Sequence, residues 1–208
     1  MASRLSTVIA AAPKTDLAVV AAMAAQFESY ILKGQVYRTV VLPTPGDHKG
    51  AGERPVQSSG GDVLARLHKL AAQSESLSPE QRQALAEAKA QIDAATGRLP
   101  SHYQALLLRE ARARLNSLNW FLDDCSENRR ECRVQYPFEI RNRQRIAEIG
   151  KALEAHGADA LTTQLASVDQ RLQGMLTRGE FVWEAKVAPV YPREEYWYLY
   201  GLPAGPGP

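Results

Sequence analysis

The chain has 208 residues, 45% of them apolar and 23% charged, enough to bury one sizeable core and leave little room for a second. Its 25 basic and 23 acidic residues give a net charge of +2, which excludes a general electrostatic attraction for nucleic acid or anionic lipid. The longest apolar run, Leu17 to Ala25, is about half the roughly 20 residues that a membrane-spanning helix needs. An earlier run from Leu5 to Ala12 is short for a secretory leader and broken by Ser6 and Thr7.

The first predicted helix starts at Thr15 or Asp16, whose side chains can cap free amides, and stops at Gly34. Leu17, Val20, Phe27 and Ile31 share a broad face, and Val19, Met23 and Tyr30 extend it round most of the circumference. Residues 35–42 are rich in β-branched side chains and bounded by glycine and proline, which predicts a short strand. Residues 43–61 carry Pro43, Pro45, Pro55 and five glycines with hardly an apolar anchor, and read as a flexible loop. The glycines around Lys49 lack the Ser or Thr after the lysine that a phosphate-cradling loop requires.

Asp62 is expected to cap a short helix that ends near Ser74. Ser78, Pro79 and Gln81 form a capping-box pattern for a helix that runs to Gly97. Ser101 and Gln104 repeat it, with Leu99 as a staple. Two apolar stripes at alternating spacings of three and four then follow: Leu108, Ala111, Leu115, Leu118, Leu122 and Cys125, and later Leu161, Leu165, Val168, Leu172 and Met175. A helix from Phe138 to His156 lies between them, and the second stripe is expected to end at Gly179. Residues 180–187 alternate apolar and polar and are expected to pair with 35–42; residues 201–208 form a disordered proline-glycine tail. The predicted fold is mainly α: a single domain spanning 1–208, an antiparallel helical bundle with long coiled-coil-like helices and one two-stranded β element.

Seven of the fifteen aromatic residues fall between Phe181 and Tyr200: Phe181, Trp183, Tyr191, Tyr196, Trp197, Tyr198 and Tyr200. Such side chains combine large rigid area with a polar handle, so the segment is the candidate protein-binding element; the competing reading is that it folds back to close its own bundle. Arginine without lysine marks the middle of the chain, where Arg129, Arg130, Arg133, Arg141, Arg143 and Arg145 suggest contact with a nucleic-acid backbone, although interleaved acids also suit a solvated helix face. On one continuous helix Cys125 and Cys132 would lie about 10 Å apart, too far for a disulfide. They therefore read as buried thiols in a reducing, cytoplasmic setting. Basic neighbours would favour a thiolate at Cys132, while Asp123 and Asp124 oppose one at Cys125, and no histidine is spaced to act as its base. Glu194 and Glu195 are expected in the first turn of a short helix. No cofactor motif, metal-ligand spacing or catalytic signature is present. The expectation is a non-catalytic scaffold or adaptor subunit that binds a protein partner or a second copy through the aromatic segment; the alternative is a nucleic-acid-backbone-binding subunit using the central arginines.

Overall fold

The computed structural model describes residues 12–43, 53–153 and 159–205. The apolar run before Ala12, the glycines around Lys49, both His48 and His156, and the last three residues of the tail lie outside them. Among the described residues the fold is mainly helical, with eight α-helices and two antiparallel two-stranded sheets. They divide into two compact units, 12–110 and 111–205.

In the first unit, α1 (Pro13–Ala24) and α2 (Phe27–Lys33) replace the single helix expected up to Gly34. The break has a local cause. The Gln26 N–H bonds to Met23 O rather than Ala22 O, and its side-chain amide donates to the carbonyl thus freed, at 3.2 Å. Gly34 ends α2 as expected, at φ 63°, where a side chain would be strained.

Strand β1 (Tyr37–Pro43) pairs with β2 (Glu53–Ser59), placing Val40 opposite Val56. This corrects two expectations: residues 35–42 do not pair with 180–187, and much of the segment read as a loop is a strand. β2 has a single strong apolar residue and a proline, yet both strands of a two-stranded ribbon are edges, where proline is tolerated. Helix α3 (Gly60–Ala72) is capped by Ser59, whose hydroxyl accepts from the Asp62 N–H, so Asp62 lies inside the helix rather than before it. Helix α4 (Pro79–Arg98) has the full capping box, with Ser78 and Gln81 each bonded to the other's backbone. The second box is absent. Only Leu99 separates α4 from α5 (Pro100–Glu127), so Ser101 and Gln104 are already helical. The core of this unit joins Val20, Met23, Phe27 and Ile31 to Val40, Leu70, Ile92 and Leu106.

The second unit starts within α5. Ala111, Leu115, Leu118, Leu122 and Cys125 are buried there, while Leu108, in the first unit, is half-buried. α6 (Arg129–Glu139), α7 (Arg141–Leu153) and α8 (Asp159–Met175) follow, so the helix expected from Phe138 is divided at Ile140. On α8, Leu161, Val168 and Leu172 are buried and Leu165 and Met175 half-buried. Burying each such leucine is worth about 1.5–3 kcal/mol before entropy is subtracted.

Asn128 breaks the path from α5 to α6: its φ of −133° is not helical, and its side chain accepts from the Glu131 N–H. The corner brings the Cα atoms of Cys125 and Cys132 to 4.9 Å, and the two form a disulfide. The expectation of separate thiols assumed one unbroken helix; with it goes the argument for a reducing compartment.

α8 ends at Met175 rather than Gly179, and β3 (Leu176–Phe181) pairs with β4 (Tyr200–Pro203). The expected strand at 180–187 is therefore displaced; residues 185–190 form a 3₁₀ turn. The backbones of β3 and β4 come so close that a Cβ on Gly201 would stand 2.5 Å from Thr177 O, which accounts for glycine there. Gly201 to Pro203 thus belong to a sheet rather than to the tail. Glu194 and Glu195 lie in a turn closed by the Tyr196 N–H on Pro192 O, not in a helix.

Candidate functional site

The seven aromatic residues of the C-terminal segment come together, but as part of their own unit. Tyr191, Tyr196 and Tyr198 are buried; Phe181, Trp183, Trp197 and Tyr200 are half-buried. Phe181 packs against Trp183, Tyr191 and Tyr200 with ring centroids 5.2–6.2 Å apart, and Trp183 meets Tyr191 edge-on at 5.3 Å. Such offset and edge-on pairs add about 0.5–1.5 kcal/mol each beyond their area.

Polar links hold the segment down. The Tyr136 hydroxyl of α6 donates to Tyr198 O at 2.6 Å, and Trp183 Nε1 donates to Pro137 O at 2.8 Å, a carbonyl at the end of α6. Tyr200 donates to Tyr191 O at 2.7 Å. Around Tyr196 stand groups that sequence patterns did not single out: its hydroxyl donates to the buried Glu148 at 2.7 Å and accepts from Lys151 at 2.6 Å, and Lys151 also pairs with Glu195 at 2.6 Å. Burial first, then the Glu148 bond, pushes the Tyr196 hydroxyl far above its ordinary pKa; burial does the same to Tyr136 and Tyr198. None of these phenols ionises near neutrality. The Tyr198 hydroxyl is buried with no hydrogen-bond partner among the described residues.

The central arginines do not form one face. Arg143 is buried, grips Asp169 of α8 through two bonds of 2.7 and 2.8 Å, and lies 4.6 Å from the Tyr198 ring centroid. Burial is the largest single influence and opposes its charge, but Asp169, Tyr198 and Tyr136 together outweigh it and raise its pKa above the ordinary guanidinium value. Arg133 donates to Pro203 O, Arg141 to Phe138 O and Arg145 to Gln144 Oε1. Arg129 and Arg130 are exposed.

A cleft of about 640 Å³ runs along β3 beside the aromatic cluster, lined by Arg133, Pro137, Glu180, Phe181 and Gly201 among others. A second, of about 550 Å³, has the Cys125–Cys132 disulfide in its wall. The most exposed large apolar side chain among the described residues is Trp120 on α5, at 71%. Isolated tryptophan carries no periodic signal, so the sequence offered no means of finding it. No group of His, Cys, Asp and Glu side chains able to hold a metal occurs among the described residues, and no described helix is long and apolar enough to cross a membrane. The chain matches no protein-family model, no curated protein and no solved structure.

Proposed function

We propose that this chain is a non-catalytic helical scaffold or adaptor subunit whose partner, a protein, seats on the outward halves of Phe181, Trp183 and Tyr200 beside the β3 cleft. The observation that supports it is the sharing of one aromatic cluster between core and surface: Tyr191 is buried, while Phe181 and Trp183, which pack on it, and Tyr200, which packs on Phe181, keep part of their area in contact with water. Rigid rings of this kind lose little entropy on binding and dominate interface energetics. In this reading the stripes on α5 and α8 pack as coiled-coil-like ridges that stiffen the scaffold. The arginine alternative has less behind it, because Arg143 is committed to Asp169, and Arg133 and Arg141 to backbone carbonyls.

The test is a photo-crosslinking residue in place of Glu180, exposed beside Phe181, compared with one in place of Gln83, exposed on α4. In the native host the expected result is a covalent protein adduct at position 180 alone, lost when Phe181→Ser is added. Adducts at neither position, or equally at both, contradict the reading.

A further inference from the structure

The corner between α5 and α6 carries chemistry that the scaffold reading does not use. Arg129 and Arg171 line the 550 Å³ cleft together with the disulfide, Met175 and Pro203. Arg171 is held by Asn119 at 3.0 Å and Asp123 at 2.6 Å. Arg129 stands at the first position of α6, exposed, with no side-chain partner among the described residues. The cleft therefore joins an electrophilic sulfur pair, an apolar wall and an uncommitted cation.

The two sulfurs are not equivalent. Cys132 sits in the first turn of α6, its N–H bonded to Asn128 O at 3.0 Å, near the positive end of the helix, with Glu131 and Arg133 on either side in sequence. Cys125 sits in the last turn of α5, at the negative end, after Asp123 and Asp124. Negative charge is better accommodated on Cys132, which is the better leaving group. Both cysteines reach the wall of the cleft, and the opposed helix ends direct a nucleophile to Cys125.

We propose that the Cys125–Cys132 disulfide is redox-active and exchanges with a low-molecular-weight thiol bearing a carboxylate, seated in this cleft with the carboxylate on Arg129. The thiolate attacks Cys125 Sγ, the Cys125–Cys132 bond breaks, and its electron pair leaves on Cys132 Sγ as thiolate. A second molecule of the same thiol attacks the small-molecule sulfur of the mixed disulfide and releases Cys125 as thiolate. Two thiols become one small-molecule disulfide, and their two protons finish on the two cysteines.

The test uses the full oxidised chain at neutral pH with glutathione as the acidic thiol and 2-mercaptoethanol as the uncharged one, quenched by acid and mapped by mass spectrometry. The expected adduct is glutathione on Cys125 with Cys132 free. Arg129→Ala should slow the glutathione reaction about fivefold, the size of a partly exposed charge pair, and leave 2-mercaptoethanol within about twofold. Arg129→Lys should restore most of the loss. Arg112→Ala, exposed on α5 and outside the cleft lining, should change neither rate. A disulfide inert to millimolar glutathione in the folded chain, an adduct on Cys132, or equal slowing by Arg129→Ala and Arg112→Ala would overturn the proposal.

Discussion

Residues 12–110 and 111–205 bury charge for different purposes. In the first unit the carboxylate of Glu110, fully buried, accepts from Ser59 Oγ at 2.6 Å and from the Gly61 N–H at 2.9 Å, while Tyr30 accepts from the Gly60 N–H at 2.8 Å. Every helix begins with amides that have no partner inside it, and at the start of α3 side chains from α5 and α2 supply the acceptors, next to the helix's positive end. In the second unit the buried charges tie segment to segment: Arg143 of α7 to Asp169 of α8, and Glu148 of α7 to Tyr196. The first arrangement finishes one helix. The second makes helices α7 and α8 and the aromatic segment depend on one another.

Alkaline pH should separate the two units most strongly. Tyr136, Tyr196 and Tyr198 have pKa values raised by burial, as has Tyr103 in the first unit. Folded tyrosines that keep their protons contribute stability in full below the unfolded pKa of about 10; above it the unfolded chain ionises first, and each costs up to about 1.4 kcal/mol per pH unit. The second unit, with these three close together and Tyr200 raised by burial as well, should unfold at the lower pH. Trp120, Trp183 and Trp197 all lie in that unit, so tryptophan fluorescence follows it alone.

Next in size is Glu110→Ala, which should cost about 2 kcal/mol in urea unfolding followed by circular dichroism, because it strands the buried Gly61 N–H and leaves Ser59 Oγ only its bond to Asp62. Glu110→Gln keeps an acceptor and should cost less. A loss below about 1 kcal/mol for the alanine variant would mean that α3 does not need this cap.

The smallest effects fall on two tyrosines of the second unit. Tyr136→Phe should lose about 1 kcal/mol, since it removes the bond to Tyr198 O. Tyr198→Phe should lose nothing and gain up to about 1 kcal/mol, since the hydroxyl it removes is buried without a partner among the described residues. Urea midpoints read by tryptophan fluorescence would show the two shifts in opposite directions.

What could be read in the sequence was whatever is local or periodic. Gly34 and the Ser78–Gln81 box each depend on residues within a turn or two and lie where expected, and the residues of the two leucine stripes fall on helices. Pairing was beyond reach: β2 offers only Val56 to mark it as the partner of Val40, and the bulged register of β3 with β4 depends on the bare backbone of Gly201. The disulfide was missed because a single residue, Asn128, turns a helix that periodicity extends straight through. At the candidate site the crowding of aromatics was visible, but their division between core and surface was not. It rests on contacts such as Tyr136 with Tyr198, 62 residues apart.

The aromatic segment is built into the second unit, and native-state hydrogen exchange reads this out residue by residue. The N–H groups of Val182, Tyr196 and Leu199 bond to Leu199 O, Pro192 O and Tyr196 O. If the segment opens only when the unit unfolds, these three amides exchange with the same free energy as the buried core of α7, around Ile146 and Ile149. Exchange orders of magnitude faster, with α7 still protected, would show an independent arm and contradict the account.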